Sequence, residues 1–218
     1  MAAYWKFLQA GAISPFSGHA WATGQWADAD DASPCRAGIH ACRAGDLPYW
    51  INDELWQFEL AEPVRPAARK VVAARARAVG RVAEWDDTAA ADLATACAAR
   101  TAGHAADELA GSGLGEAARR LAEVISASPP AAWAGAAGDG LEAASSRGAR
   151  QAVTLCGYVQ DAVEALEVYP VATSAYIAAR AASERSRAAA EDPYLAERAW
   201  QAAWLVSRLG LDSSAPPA

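Results

Sequence analysis

The sequence predicts an α+β protein, with a small, mostly antiparallel, tryptophan-rich β unit over about residues 1–85 and a packed helical part over about 88–211. Three observations predict it. Six of the nine tryptophans fall at or before Trp85, in short apolar–polar alternations broken by proline and glycine. After Trp85-Asp86-Asp87-Thr88 the vocabulary turns to alanine-dominated segments with apolar residues at helical spacing. With 218 residues, 53% hydrophobic and 21% charged, the chain is long enough and apolar enough to bury a substantial core.

Taken in order, Tyr4 to Leu8 reads as a short strand, with aromatics and leucine around Lys6. The following stretch, AISPFSGHAWATGQWADADDASP, carries the Pro, Gly, Ser and Asp of a loop, yet its Phe16, His19, Trp21 and Trp26 require something to cover. Gly38 to Cys42 is a further strand candidate, and AGDLPYWIND supplies a turn and one helical turn after it. In Glu54 to Leu60, Trp56, Phe58 and Leu60 alternate with Gln57 and Glu59, the period-two pattern of a strand with one buried face. Lys70 to Ala73 and Arg75 to Val82 read as one long or bent strand, bulged where the alternation changes phase at Val79 and Gly80.

Asp86 or Asp87 is the expected N-cap of the first helix, with acidic residues in its first turn. Helices are expected over about 88–110, 115–127, 131–146, 149–168, 171–188 and 193–209, and residues 212–218 as a frayed tail. The fourth helix is the clearest, because Leu155, Tyr158, Val159, Val163 and Leu166 form one apolar stripe. The fifth presents small residues suited to close packing, and the last carries Trp200 and Trp204 on a wide apolar face.

The formal charge of −7 argues against a nucleic-acid partner, since binding phosphate backbones demands a dense basic face. The excess lies after residue 85: residues 1–85 hold nine Lys/Arg against nine Asp/Glu, residues 86–218 ten against seventeen. An apolar run long enough for a membrane span and a basic, apolar leader are both lacking, so a cytoplasmic chain without a membrane partner is expected. Four cysteines without CxxC spacing fit reduced thiols better than a disulfide framework.

The segment CRAGIHACR, residues 35–43, is the densest gathering of reactive side chains. Three readings compete. As a metal site, Cys35, His40, Cys42 and the remote His19 would ligate zinc, but the spacing lacks paired ligands. As a catalytic site, His40 and His19 would act as acid and base and Cys42 as a nucleophile, its thiolate favoured by Arg36 or Arg43. As a structural element, the cysteines pack as small hydrophobes. The expectation is a strand with His40 facing a cleft and Cys35 and Cys42 reduced and without metal. Arg36 and Arg43 would then emerge near the strand ends to meet carboxylates such as Asp46 or an anionic ligand. Cys97, His104 and Cys156 fall on expected helices and read as core or surface features, and the arginines of RKVVAARARAVGR read as a solvated strand face, with anion binding as the minority reading.

The segments KFLQAGAISPFSGHAW, CRAGIHACRAGDLPYWINDELWQFELAE and KVVAARARAVGRVAEW, with ATSAYIAARAASERS and LAERAWQAAWLVSRLGL, resemble a family of uncharacterised actinobacterial proteins over most of the chain. The order of strand, Gly-Ile-His segment, short helix ending in Tyr-Trp and ELWQFEL strand is also similar to the β core of ADP-ribosyltransferase-like folds. That likeness places His40 and Tyr49 near a cleft. The family's catalytic glutamate and nicotinamide-binding motif have no match here, so neither NAD nor any other cofactor is carried over.

The leading functional expectation is a small-molecule enzyme with its pocket where the β unit meets the helices. His40 and His19 would be its acid and base, Cys42 its nucleophile, and Ser17, Trp21, Arg36, Arg43, Tyr49 and Trp50 its substrate-binding wall. The alternative is a non-catalytic binding or assembly module, acting as a homodimer or docking a partner through its C-terminal tryptophan-bearing helices.

Overall fold

The computed structural model describes residues 3–34, 36–168, 170–185 and 192–211 and has the α+β arrangement. The expected tail at 212–218, the end of the fifth helix beyond Arg185, and Cys35 lie outside the described residues. The chain divides into two compact units, one of residues 1–89 with 202–218 and one of residues 90–201. The first unit thus takes in the end of the last helix as well as the β segments.

In the first unit, strands β1 (Tyr4–Leu8), β2 (Trp26–Asp28), β4 (Glu54–Leu60) and β7 (Arg75–Arg81) form an antiparallel sheet in the order β1-β4-β7-β2. Strands β3 (Ile39–Ala41), β5 (Arg65–Ala67) and β6 (Lys70–Ala73) form a second, in the order β3-β6-β5. The continuous strand expected over 70–82 is therefore two strands in two sheets. Ala74 is the passage between them, its carbonyl accepting the Ala29 amide at 2.7 Å. The expected bulge is present: Phe58 pairs with Ala78 but Gln57 with Gly80, leaving Val79 unpaired. The loop expected before Cys35 also holds β2, whose Trp26 lies under the guanidinium groups of Arg75 and Arg77.

Between the sheets lies a core of Leu8, Trp21, Phe58, Ala76 and Ala78 with Ala41 and Val71. Trp21 is the loop aromatic that does the covering. Its indole donates to Ser14 Oγ at 2.8 Å and its ring stands edge-on to Phe58. Phe16, by contrast, is 91% exposed. The single buried face expected for β4 is also incomplete as a description, because Leu55 on the opposite face is as fully buried as Phe58. Trp5 and Phe7 share the Leu55 side of the sheet, with Phe7 edge-on to Trp85 at 5.3 Å.

A backbone bridge stitches the two sheets. Trp5 and Cys42 exchange backbone hydrogen bonds at 2.9 and 2.7 Å, which brings the start of β1 against the end of β3. Nearby, Gly38 has a φ of +99° and lies so close to Asp31, Ala32 and Val72 that a Cβ there would fall 2.6 Å from Val72 Cγ2. Only glycine meets both conditions. The loop at 31–32 thereby closes over Val72, the residue paired with His40.

The second unit is built from α1 (Asp87–Gly111), α2 (Gly115–Ala127), α3 (Trp133–Arg147), α4 (Arg150–Val168), α5 (Val171–Arg185) and the start of α6 (Pro193–Arg208). The α4 stripe buries Leu155, Val159 and Val163 as its periodicity requires, with Tyr158 and Leu166 packed at its margin. Alanine and glycine allow close helix approach: a Cβ on Gly140 would stand 3.1 Å from Leu109 Cδ1 and 3.2 Å from Cys156 Sγ. Gly148 ends α3 in the left-handed conformation that a helix C-terminus favours. No helix among the described residues is long and apolar enough to cross a membrane.

Candidate functional site

The Trp5–Cys42 stitch places one side chain of β1 where the sequence gives no warning of it. Lys6 alternates with Trp5 and Phe7, so it shares a face with Tyr4 and Leu8 and stands opposite Trp56 across the sheet. Its ammonium, drawn to the edge of β3, donates to the His40 carbonyl at 2.7 Å. Among the described residues no carboxylate lies within ion-pair distance of it. Burial, opposed by Cys42 and helped by a smaller push from Lys70, brings the Lys6 ammonium down from 10.5 to about 8.

His40 lies on β3 as expected. Strand alternation and its pairing with Val72 put it on one face with Val72 and Lys70. The residue is half-buried, but its Nε2 is enclosed and has no hydrogen-bond partner. Burial first, then the charges of Lys70 and Lys6, hold its pKa below the usual histidine value. The imidazole is therefore neutral at pH 7, with one ring nitrogen unsatisfied. Lys70 in turn sits 5.5 Å over the Trp50 ring. The cluster thus gathers two ammonium groups and a neutral imidazole, and Lys6 and Lys70 are the only lysines in the chain.

The other expected site residues distribute around this cluster unevenly. Trp50 belongs to it, with its indole N–H held by the Arg69 carbonyl at 2.6 Å. Tyr49 is half-buried beneath the Arg69 guanidinium. Arg43 meets Asp46, as expected, with Nε 2.6 Å from Oδ2, and also donates to the Ala67 carbonyl. Arg36 is exposed on the turn after Ser33. Ser17 and His19 are exposed on the Trp21 loop, where Ser17 Oγ accepts the His19 amide and the imidazole stands edge-on to Trp21. No hydrogen bond or ring contact among the described residues links His19 to His40.

Cys42 is 2% exposed and donates its thiol to the Trp5 carbonyl at 3.2 Å. Burial, followed by the Asp46 charge, pushes its pKa far above that of a free thiol, against Lys6 and Arg43. In this geometry Cys42 is a seam residue, protonated at neutral pH and without the thiolate a nucleophile needs. No group of three or more His, Cys, Asp and Glu side chains among the described residues has the geometry to hold a metal.

A second polar cluster lies inside the helical unit. Glu197 on α6 is 2% exposed and takes three hydrogen bonds from Arg100 on α1, at 2.6 to 2.9 Å. His104 Nε2 stands 3.7 Å from the same carboxylate. Arg198 donates to Tyr194 and Gln201, and Gln201 to the Ala175 carbonyl of α5. The Trp200 ring, itself half-buried, covers Arg100 at 4.2 Å. His104, read from the sequence as incidental, belongs to this network. The arrangement ties α1, α5 and α6 together.

Comparison of the chain with protein-family models, with curated proteins and with solved structures gave no match in any of the three.

Proposed function

We propose that the protein binds and processes a small anionic molecule at the cluster of Lys6, His40 and Lys70. The observation that carries this reading is the enclosed, unpartnered Nε2 of His40 beside the chain's only two lysines. A buried polar atom without a partner costs about 1–3 kcal/mol, and an ammonium without a counter-charge costs more. An anion supplies both deficits at once. It neutralises Lys6 and Lys70, and an oxygen or hydroxyl on it meets the imidazole. His40, neutral at pH 7, is the acid–base group of such a site, in keeping with the role expected from its place in CRAGIHACR. Trp50 and Tyr49 supply the wall.

Thermal unfolding at low ionic strength, in the presence of inorganic phosphate, acetate or pyruvate, tests the binding. At a hundredfold excess over Kd a ligand adds about 2.7 kcal/mol, a rise in Tm of roughly 5–10 °C. At least one of these anions is expected to raise Tm in the wild-type chain and to lose the effect in the Lys6→Met/Lys70→Gln double variant. No shift with any of them, or an undiminished shift in the double variant, would refute the reading. Once a turnover assay exists, His40→Ala is expected to remain folded and to lose activity.

A further inference from the structure

We infer that Lys6 is a nucleophilic amine that condenses with the carbonyl carbon of a 2-oxo acid, while Lys70 holds that molecule's carboxylate. The inference rests on the anion site proposed above and adds covalent chemistry to it.

The first ground is the identity of the cations. Of nineteen basic side chains, seventeen are arginine and two are lysine, and both lysines stand at His40. Arginine is the better group for gripping carboxylate or phosphate, with five donors in a rigid fork and a charge it cannot lose. A chain that uses arginine everywhere else gains nothing in anion grip from lysine here. What lysine offers is an amine that can deprotonate and attack.

The second ground is the setting of the amine. Lys6 points from the middle of an otherwise apolar strand, with Trp56 opposite and Leu8 beside it in the core. Its one acceptor among the described residues is a backbone carbonyl, which holds the nitrogen in place but neutralises no charge. Burial is the main force that moves it towards the neutral amine, since Lys70 adds only a small push that Cys42 outweighs. Desolvation is one of the ways in which a Schiff-base lysine is activated. At about pH 7 roughly one Lys6 in ten is then unprotonated, against about one in a few thousand for an ordinary lysine.

The third ground is the division of labour. Lys70 lies over the Trp50 ring, where its amino group suits a carboxylate. A substrate held there by a carboxylate and attacked by Lys6 at a carbonyl is an oxo acid, and the 2-oxo acids are the class proposed, with pyruvate as the probe.

The step balances without a further reagent. The Lys6 Nζ lone pair forms a bond to the carbonyl carbon, and the C=O π pair moves to oxygen. A proton passes from nitrogen to that oxygen, giving a carbinolamine. Its hydroxyl takes one more proton and leaves as water, giving the protonated imine. The sum is amine plus 2-oxo acid plus one proton, going to iminium plus water.

Incubation of the wild-type chain with pyruvate and cyanoborohydride at pH 7, followed by peptide mass spectrometry, tests the inference. The expected result is a carboxyethyl group on Lys6, formed at least about tenfold faster than on Lys70 and absent in the Lys6→Arg variant. Lys70, the other lysine of the chain, is the internal comparison. If pyruvate raises Tm but Lys6 is unlabelled, or is labelled no faster than Lys70, the imine is refuted and the anion site stands. If pyruvate neither raises Tm nor labels Lys6, the inference falls with pyruvate as its ligand, and the phosphate and acetate measurements decide the binding site separately.

Discussion

Replacing Lys6 by Met stabilises the protein at pH 7 by about 2 kcal/mol. An ammonium ordinarily titrating at 10.5 and held near 8 is destabilised in the folded chain by two to three pKa units. At about 1.4 kcal/mol per unit that is on the order of 3 kcal/mol, part of which the residue's partial exposure returns. Methionine keeps the length and removes the charge. The pH dependence has a definite sign. The folded pKa is depressed, so the cost is fully present below pH 8 and disappears as pH rises from 8 to 10.5, where the unfolded chain also loses its proton. The buried cysteines act in the opposite sense above pH 9, because their raised pKa values favour ionisation of the unfolded chain. Cys97 and Cys156 do not interact with Lys6 and cancel in the difference, while Cys42 loses the lowering influence of Lys6 and stays protonated in the folded variant. Urea unfolding at pH 7 and pH 10 is therefore expected to show Lys6→Met more stable at pH 7 and close to wild type at pH 10. A variant less stable than wild type at pH 7 would make Lys6 a structural residue.

Glu197→Ala has the largest expected cost, about 3 kcal/mol at pH 7. The carboxylate is buried and takes three hydrogen bonds from Arg100, whose side chain is 35% exposed. Removal leaves a guanidinium between Trp200 and an empty space, the situation in which breaking a buried pair is expensive. Burial alone would raise the Glu197 pKa, but His104 and Arg100 outweigh it and hold the carboxyl below its usual value of 4.5. A depressed carboxylate stabilises above the unfolded pKa, and that contribution is lost as pH falls through the folded one. The gap between wild type and Glu197→Ala in chemical denaturation is thus expected to be full at pH 7 and to narrow below pH 4.5. An equal gap at both pH values would mean that packing, not charge, sets the cost.

Periodicity made much of the fold legible. β1 and β4 match their sequence spans, because aromatic alternation admits few alternatives, and the helices match within a few residues where they are described, because caps, glycines and prolines bound them. The division at Ala74 was hidden because no turn residue marks it, and a strand that changes sheets keeps its composition. β2 and β5, three residues each, are too short to show a period. The site was half legible. His40 of the proposed site was singled out by its neighbours, whereas Lys6 was read only as an interruption in an aromatic strand. The signal that marks it is compositional: two lysines in an arginine-rich chain, one of them flanked by Trp5 and Phe7. Glu197 left no such signal, since a glutamate in an alanine-rich helix reads as solvated and its partner Arg100 lies 97 residues away.

The central claim is that Lys6 is a desolvated amine, neutral in a substantial fraction near physiological pH. With two lysines and one terminal amine, the chain suits a direct measurement: reductive methylation with 13C-formaldehyde, then NMR titration of the dimethylamino resonances, assigned by Lys6→Arg and Lys70→Arg. The account predicts that the Lys6 resonance titrates near 8, well below the ordinary lysine value. A Lys6 resonance titrating at about 10, as an exposed lysine does, would contradict it.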